Sequence, residues 1–276
     1  MPSSSPNRQG QIDVIVTAHN VGPYLSECLN SLARQTLTDF RVIIIENGSN
    51  DATGSIADAF ARQDNRFNVI HREALGPAGA RNLGLEKVEA PYAMLLDGDD
   101  VFHPTLLAHL HTAIEAYEAD IALCDIIQFE ERPGRHKRKY MNAPWALKRS
   151  QLDAMQPGGA IVTSQRNIPG NIFAAFMGWP WDKLYRVSFL REHALKFPTS
   201  LSNSEDMPFT YQALVLARRI AIVNQVLIEH RVGRAESVSG SRMEHPLDFY
   251  AAICMMKSFL DTLPECDRNR LKKDFL

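Results

Sequence analysis

Three carboxylates fall within four residues at Asp97-Gly98-Asp99-Asp100, directly after the apolar run Tyr92–Leu96. Side by side they repel one another, and burying any of them is costly unless a cation neutralises the group. A hard divalent ion held by one or two carboxylates and completed by substrate phosphates suits such a corner. Gly98 between them leaves room for the backbone to approach a ligand closely. Aspartate also lines solvated turns and caps helices, so the corner alone fits a turn as well as a metal site. An EF-hand is excluded. Counting from Asp97 puts Phe102 where the turn glycine belongs and Ala108 where the bidentate glutamate belongs.

The elements that would position this corner follow from periodicity. Short apolar, β-branched runs occur at Ile12–Thr17, Arg41–Glu46, Asn68–His71 and Tyr92–Asp97. Between them, Leu25, Cys28, Leu29 and Leu32 repeat at helical spacing, as do Ile56, Ala59 and Phe60. This β-α-β-α alternation predicts an α/β fold whose mostly parallel sheet is flanked by helices. The unbroken apolar run Val42–Ile45 fits a strand buried on both faces. A helix over Pro104–Tyr117 and a strand over Ile121–Phe129 follow. Ligands of open sheets bind beyond the carboxyl ends of the strands. Polar residues gather there: Thr17-Ala18-His19-Asn20, Glu46-Asn47-Gly48-Ser49 and the Asp97 corner. Three polar strand ends should therefore meet on one rim.

The second half is less regular. Gly, Pro and a basic run from Arg132 to Lys139 predict an irregular insertion over 130–170. Order returns at Trp179–Arg191, with a helix from Asp206 to Ala217, a strand over Ile220–Val226 and a final helix over Leu247–Leu260. The expected organisation is a leader at 1–10, a main domain at 11–240 and a helical extension at 241–276. The main domain divides into halves at 11–129 and 130–240. The formal net charge of −2 argues against a dedicated nucleic-acid binder. Four scattered cysteines form no C-x-x-C pair, and Cys28 and Cys124 read as small buried hydrophobes of a reducing compartment. No signal peptide or membrane span is visible, so a cytoplasmic protein is expected. The basic run suits the anionic inner face of a membrane, or a phosphorylated acceptor, as well as a plain solvated loop.

Taken in order, the motifs resemble the inverting family 2 glycosyltransferases of GT-A fold. The resemblance runs from Val14-Ile15-Val16-Thr17-Ala18-His19-Asn20 through Ile44–Asp51, Gly79-Ala80-Arg81-Asn82-Leu83-Gly84 and Leu95–Asp100. It continues with Trp181-Asp182-Lys183-Leu184-Tyr185-Arg186, Glu205-Asp206, and Arg231 with Ser237 and Ser239. Family members often carry Pro and Tyr where Thr17 and His19 stand, an Asp pair in place of Glu46-Asn47, and Asn in place of Asp182.

The resemblance implies that 11–129 is the nucleotide-binding half and 130–240 the acceptor-binding half, and it implies a role for each position. Thr17, Ala18, His19 and Asn20 would lie under the nucleotide base, with Glu46 and Asn47 near base or ribose. Arg81 would contact the nucleotide, Asp97 and Gly98 the ribose and its surroundings, and Asp99 would hold Mn²⁺ or Mg²⁺ across the diphosphate. Asp97 and His230 are further candidate metal ligands, and Asp100 either ligates or orients the loop. Arg231 would pair with phosphate from a loop folding over the donor. Asp206 would be the base that takes the acceptor's proton, with Glu205 orienting the acceptor or raising the base's pKa. By itself Ser204-Glu205-Asp206 also suits a helix N-terminus. Trp179 and Trp181 are suited to stacking on a sugar or to packing in the core.

The expected activity is transfer of a hexosyl or N-acetylhexosaminyl group from a UDP-sugar to a glycan or lipid-linked hydroxyl. A silent nucleotide- or glycan-binding relative is the alternative. A sugar-nucleotide pyrophosphorylase fits less well, because Thr17–Tyr24 lacks a Gly-rich loop bearing Arg and Lys.

Overall fold

The computed structural model describes residues 10–130, 138–140, 159–168, 172–233 and 245–275. The first half alternates as expected: β1 (Ile12–Ala18), α1 (Gly22–Ala33), β2 (Phe40–Asn47), α2 (Thr53–Gln63), β3 (Phe67–Arg72), α3 (Gly76–Glu86) and β4 (Tyr92–Asp97). Then come β5 (Val101–Phe102), α4 (Leu106–Ala116), β6 (Ile121–Glu130), β7 (Arg138–Tyr140) and β8 (Ala160–Thr163). The remainder comprises α5 (Ile172–Ala175), β9 (Lys183–Arg186), α6 (Val187–Glu192), α7 (Asp206–Leu216), β10 (Ile220–Val232), α8 (Asp248–Asp261) and α9 (Glu265–Phe275).

The main path of the sheet runs β3-β2-β1-β4-β9-β6-β10-β5. Strands β3, β2, β1 and β4 are parallel neighbours, and β6 is parallel to β10. Short β9 runs antiparallel between β4 and β6 and joins the two parallel groups. Each central strand feeds two cores because side chains alternate across the pleat. On β2, Val42 and Ile44 join one core while Ile43 and Ile45 join the other. The first core lies under α1, α2 and α4, where Leu25, Cys28, Leu29 and Leu32 are all fully buried. Each such leucine contributes about 2 kcal/mol of apolar burial. The second core lies under α3, α6 and α7, and Leu260 and Leu271 of α8 and α9 close it. Helix α3 comes close to the sheet because Gly84 faces Ile15, where any Cβ would collide with the isoleucine side chain.

Two expectations need correction. Glu229–Val232 is not a loop but the end of β10, whose ladder on β6 resumes after irregularities between Val223 and Ile228. The C-terminal segment carries a second helix, α9, beyond the single helix expected. Ser237, Ser239 and most of the 130–170 insertion, including Arg132–Lys137 of the basic run, lie outside the described residues.

Candidate active site

Strand register assembles the rim. The β1–β4 ladder sets Thr17 beside Asp97, and the β1–β2 ladder sets Ala18 beside Glu46. Thr17 Oγ1 donates to Asp97 Oδ1 at 3.2 Å, and the Gly98 amide donates to the Thr17 carbonyl at 3.0 Å. At this end of the sheet opens a cleft of about 410 Å³. Its walls include Thr17, Ala18, His19, Asn47, Arg81, Asp97 and Asp99 from the first half. Trp179, Trp181, Glu205, Asp206, His230 and Arg231 face them from the second. Asn20, Glu46, Gly98 and Asp100 stand behind this lining rather than in it.

Arg81 joins the two walls. It lies in α3, which opens at Gly76 with φ +70° followed by Pro77. Its Nη2 donates to Asp97 Oδ1 at 3.0 Å and its Nη1 to Glu205 Oε1 at 2.5 Å. Burial opposes the charge on this guanidinium, yet Asp97, Glu205 and Asp206 outweigh it and raise its pKa. Both arms that the sequence offered to a nucleotide thus have carboxylate partners within the protein.

Asp206 opens α7. Burial first, and then repulsion from Glu205, pushes its pKa up to about 6, with Arg81 pulling the other way. The helix-cap alternative finds no support at Glu205, whose side chain makes no capping bond and turns to Arg81 instead. The residue before the pair, Ser204, sits at φ +61°, a left-handed conformation that a non-glycine residue adopts at some cost.

The acidic corner divides in function. Asp99 and the side chain of Asp97 border the cleft. Asp100 is wholly buried and accepts from the Arg231 amide at 2.9 Å, with His230 Nδ1 at 3.0 Å. It therefore ties the corner to the end of β10. Gly98 has a packing reason rather than a ligand one: a Cβ there would press on the Thr17 carbonyl at 3.1 Å and on Val21 and Leu25. The local field is negative. Burial raises the Cys28 thiol well above its usual pKa, and Asp100, Asp99 and Asp97 add to the rise.

Three polar residues are turned inward. Arg231 is sandwiched between the rings of Tyr24 and Phe129, its Nε donates to the Asp99 carbonyl at 2.9 Å, and its Nη2 donates to Glu27 at 2.6 Å. Its guanidinium, only 1% exposed, holds the acidic corner from behind rather than standing open in the cleft that the residue borders. Glu46 accepts from the Ser49 amide at 2.7 Å and faces His71, away from the cleft. Burial raises its pKa, but the Ser49 and His71 contacts win and leave it lowered. Asn47 accepts from the Leu75 amide at 2.7 Å and donates to the Gly76 carbonyl at 3.3 Å. Its amide thus pairs with the backbone entering α3, which a carboxylate could not do in both directions. His19 is exposed at the cleft edge, its Nδ1 2.9 Å from the Asn47 carbonyl.

The aromatic wall is a stack. Trp179 and Trp181 lie 4.8 Å apart at 14°, and His230 stacks on Trp181 at 4.5 Å. For His230, burial lowers the pKa, yet Asp100, Asp99 and Asp97 outweigh it and raise it. Fully buried Lys183 supports the wall, donating to the carbonyls of Trp179 at 2.7 Å and Met177 at 3.0 Å and pairing with Asp182. Nothing in the residue pattern points to Glu27, Tyr24, Asn203 or Gly233 in this neighbourhood. Their links to the site are tertiary and leave no local spacing. The one local clue was the tryptophan pair at i, i+2.

Comparison with known proteins agrees with the geometry. The family model described as Glycosyl transferase family 2 matches residues 13–176. The putative glycosyltransferase EpsH of Bacillus subtilis is 32% identical over 224 residues, covering 80% of this chain and 60% of EpsH. The chain thus spans about three fifths of that relative's length. Among solved structures, Staphylococcus aureus TarS 1–349 in complex with UDP-GlcNAc superposes with a TM-score of 0.77 at 24% identity, covering 96% of this chain and 70% of TarS 1–349. The mannosyltransferase PcManGT of Pyrobaculum calidifontis, in complex with GDP-Man and Mn²⁺, gives 0.63 at 15% identity, covering 99% of this chain and 70% of that one. At these identities the structural likeness shows the fold, which is GT-A.

Proposed function

The chain belongs to glycosyl transferase family 2, and from that membership we propose that it moves a sugar, with inversion, from a nucleoside-diphosphate sugar to a hydroxyl of a cell-surface glycan or its lipid-linked precursor. The observation that carries this reading is the cleft's charge arrangement. A carboxyl with a pKa near 6, Asp206, shares the cleft with the carboxylates of Asp97 and Asp99. That pairs a base poised near neutral pH with a docking point for a charge-neutralising ion.

In this reading Asp206 accepts the acceptor's hydroxyl proton as that oxygen bonds to the anomeric carbon. The bond from that carbon to the diphosphate oxygen breaks in the same step, and the nucleoside diphosphate leaves with its electron pair. Arg81 holds Glu205 beside Asp206, where the Glu205 charge adds to the rise in the base's pKa and the Arg81 charge limits it. Asp99 and Asp97 are the residues that would hold Mn²⁺ or Mg²⁺, with His230 beside them. Among the described residues no three His, Cys, Asp or Glu groups converge on one point, so the diphosphate oxygens would complete the coordination. A divalent ion bound there supplies positive charge to the departing diphosphate. Trp181 and Trp179 offer flat apolar surface for a sugar face. A UDP-sugar is the favoured donor, supported by the UDP and UDP-GlcNAc complexes of TarS. Among the described residues no helix is long and apolar enough to cross a membrane, and a lipid-linked acceptor would be met at the surface.

A thermal-shift screen of UDP-GlcNAc, UDP-glucose and GDP-mannose, each with and without Mn²⁺, tests the donor site. Stabilisation of several degrees by one donor only with metal is expected, followed by release of the nucleoside diphosphate on adding acceptor. A flat response to all donors, or tight binding without any turnover, would instead identify a silent relative.

A further inference from the structure

Asp248 is the first residue of α8, outside the stretch that the family model matches. An aspartate there ordinarily serves its own helix. Here no side-chain cap bond forms at the preceding Leu247, and the carboxylate reaches another segment altogether. Asp248 Oδ2 accepts from the amides of Ser202 at 2.7 Å and Asn203 at 3.0 Å. The same short stretch is pinned twice more. Asn203 Nδ2 donates to the His245 carbonyl at 3.3 Å, and Ser204 Oγ donates to Asn203 Oδ1 at 2.9 Å.

What these bonds hold is costly to hold. Ser204 sits at φ +61°, and the chain passes from it directly into Glu205 and Asp206. A serine relaxes readily out of the left-handed region unless its neighbours fix it. Glu205 is fixed from the donor side by Arg81. On the other side the fixing groups are Asp248 and the His245 carbonyl. Both belong to the C-terminal segment, none of whose described residues lines the cleft.

We infer that Asp248 is a positioning residue for Asp206, holding the Ser202–Ser204 turn so that the base enters the cleft at a fixed height. This rests on the assignment of Asp206 as the base. It also gives α8 a part in the reaction without touching substrate. A base displaced by about 1 Å can lose as much as 10²-fold in rate.

The test compares Asp248→Ala, Asp248→Asn and Asp248→Ala with Ser204→Gly in the full chain, using UDP-GlcNAc with Mn²⁺ and following UDP release. Asp248→Ala should lower kcat by about 30-fold with the donor KM changed less than about twofold. Asp248→Asn should stay within about threefold of the parent, because its amide oxygen still accepts both N–H groups. Adding Ser204→Gly to Asp248→Ala should recover part of the loss, since glycine adopts the left-handed turn without strain. An unchanged kcat in Asp248→Ala, or a loss in Asp248→Asn as large as in Asp248→Ala, would overturn the inference. Hydrogen exchange gives a readout that needs no turnover: the Ser202, Asn203 and Asp206 amides should exchange at least about tenfold faster in Asp248→Ala while β1 and β4 amides do not. Faster exchange throughout the sheet would mark general destabilisation and count against it. A parent chain that releases no UDP but shows the localised exchange would fail the transferase reading while leaving the turn's restraint intact.

Discussion

The two ends of the parallel strands treat carboxylates in opposite ways. At the amino ends, Asp13 is almost fully buried and is met by several donors. Arg41 donates to it through Nε and Nη2, both at 2.8 Å, and the amides of Glu89 and Ala90 donate at 2.8 and 3.1 Å. One negative charge there meets one guanidinium and two N–H groups. At the carboxyl ends, Asp97, Asp99, Asp100, Glu205 and Asp206 crowd about Arg81, His230 and the backbone, and Asp206 is driven up to about 6. The first arrangement completes a fold. The second crowds more carboxylates than its cations match, and such crowding in a cleft is a physical signature of a site.

The largest effect should come from neutralising the surplus end at its base. Asp206→Asn keeps the size of the side chain and removes the proton acceptor, so transfer should fall by about 10³-fold. Donor-dependent thermal stabilisation should persist, since the carboxylates of the metal corner are untouched. Initial rates of nucleoside-diphosphate release, beside a thermal-shift titration with donor and Mn²⁺, check both halves. A variant with parental turnover would erase the distinction drawn between the two ends.

The mirror experiment acts on the satisfied end. Asp13→Ala leaves Arg41 and two backbone N–H groups without their acceptor, which should cost about 3 kcal/mol of stability. Urea unfolding reads that loss. Turnover per folded molecule should not change, because Asp13 stands at the far end of β1 from the cleft. A matching drop in turnover at saturating donor would mean that strain travels along the strand and that the two ends are not independent.

How much of this contrast could be read from the sequence depends on range. The Asp97 corner and the three polar strand ends were legible because strand periodicity and the open-sheet rule are local. Register then put Thr17 beside Asp97 without further information. The Glu205-Asp206 pair was visible as a motif, but its partner Arg81 lies 124 positions away and nothing in the spacing announces the bond. The directions in which the Arg231 and Glu46 side chains point were not legible for the same reason. A polar residue at a strand end points either to the cleft or into the protein, and only the packing of Tyr24, Phe129 and His71 decides which. Asn47 stood out as a polar strand end, yet its clasp on Leu75 and Gly76 depends on a loop whose path no pattern encodes. The C-terminal helices read as an appendage because the segment's contacts with the Ser202–Ser204 turn are a few hydrogen bonds rather than an apolar repeat.

A smaller effect separates the ends by pH. If Asp206 must be ionised to accept a proton, the rate should climb with pH through about 6 and level off above 7. At pH 5 it should lie about tenfold below the plateau, since one unit below the pKa only about a tenth of the base is ionised. The profile of kcat/KM for the donor, with metal saturating at every pH, measures it. A profile flat between pH 5 and 7 would remove Asp206 from the proton path, leaving the surplus end as a binding site alone.

The smallest effect is also the sharpest, because it has the opposite sign at the two ends. Asp206 binds its proton more tightly in the folded chain, with a pKa of about 6 against an ordinary 3.8. Its contribution to stability is therefore fully present below about pH 4 and is lost as pH rises through 6. At pH 7 the ionised carboxylate is a net cost, on the order of 1–2 kcal/mol after allowance for its partial contact with cleft water. Asp206→Asn should thus unfold at higher urea than the parent at pH 7, and the gain should vanish near pH 4. Asp13→Ala loses stability at neutral pH, so one acidic residue stabilises the fold where the other burdens it. A cleft carboxylate kept at such a cost fits the proposed base, and an Asp206→Asn variant no more stable than its parent at pH 7 would show that the site carries no such strain.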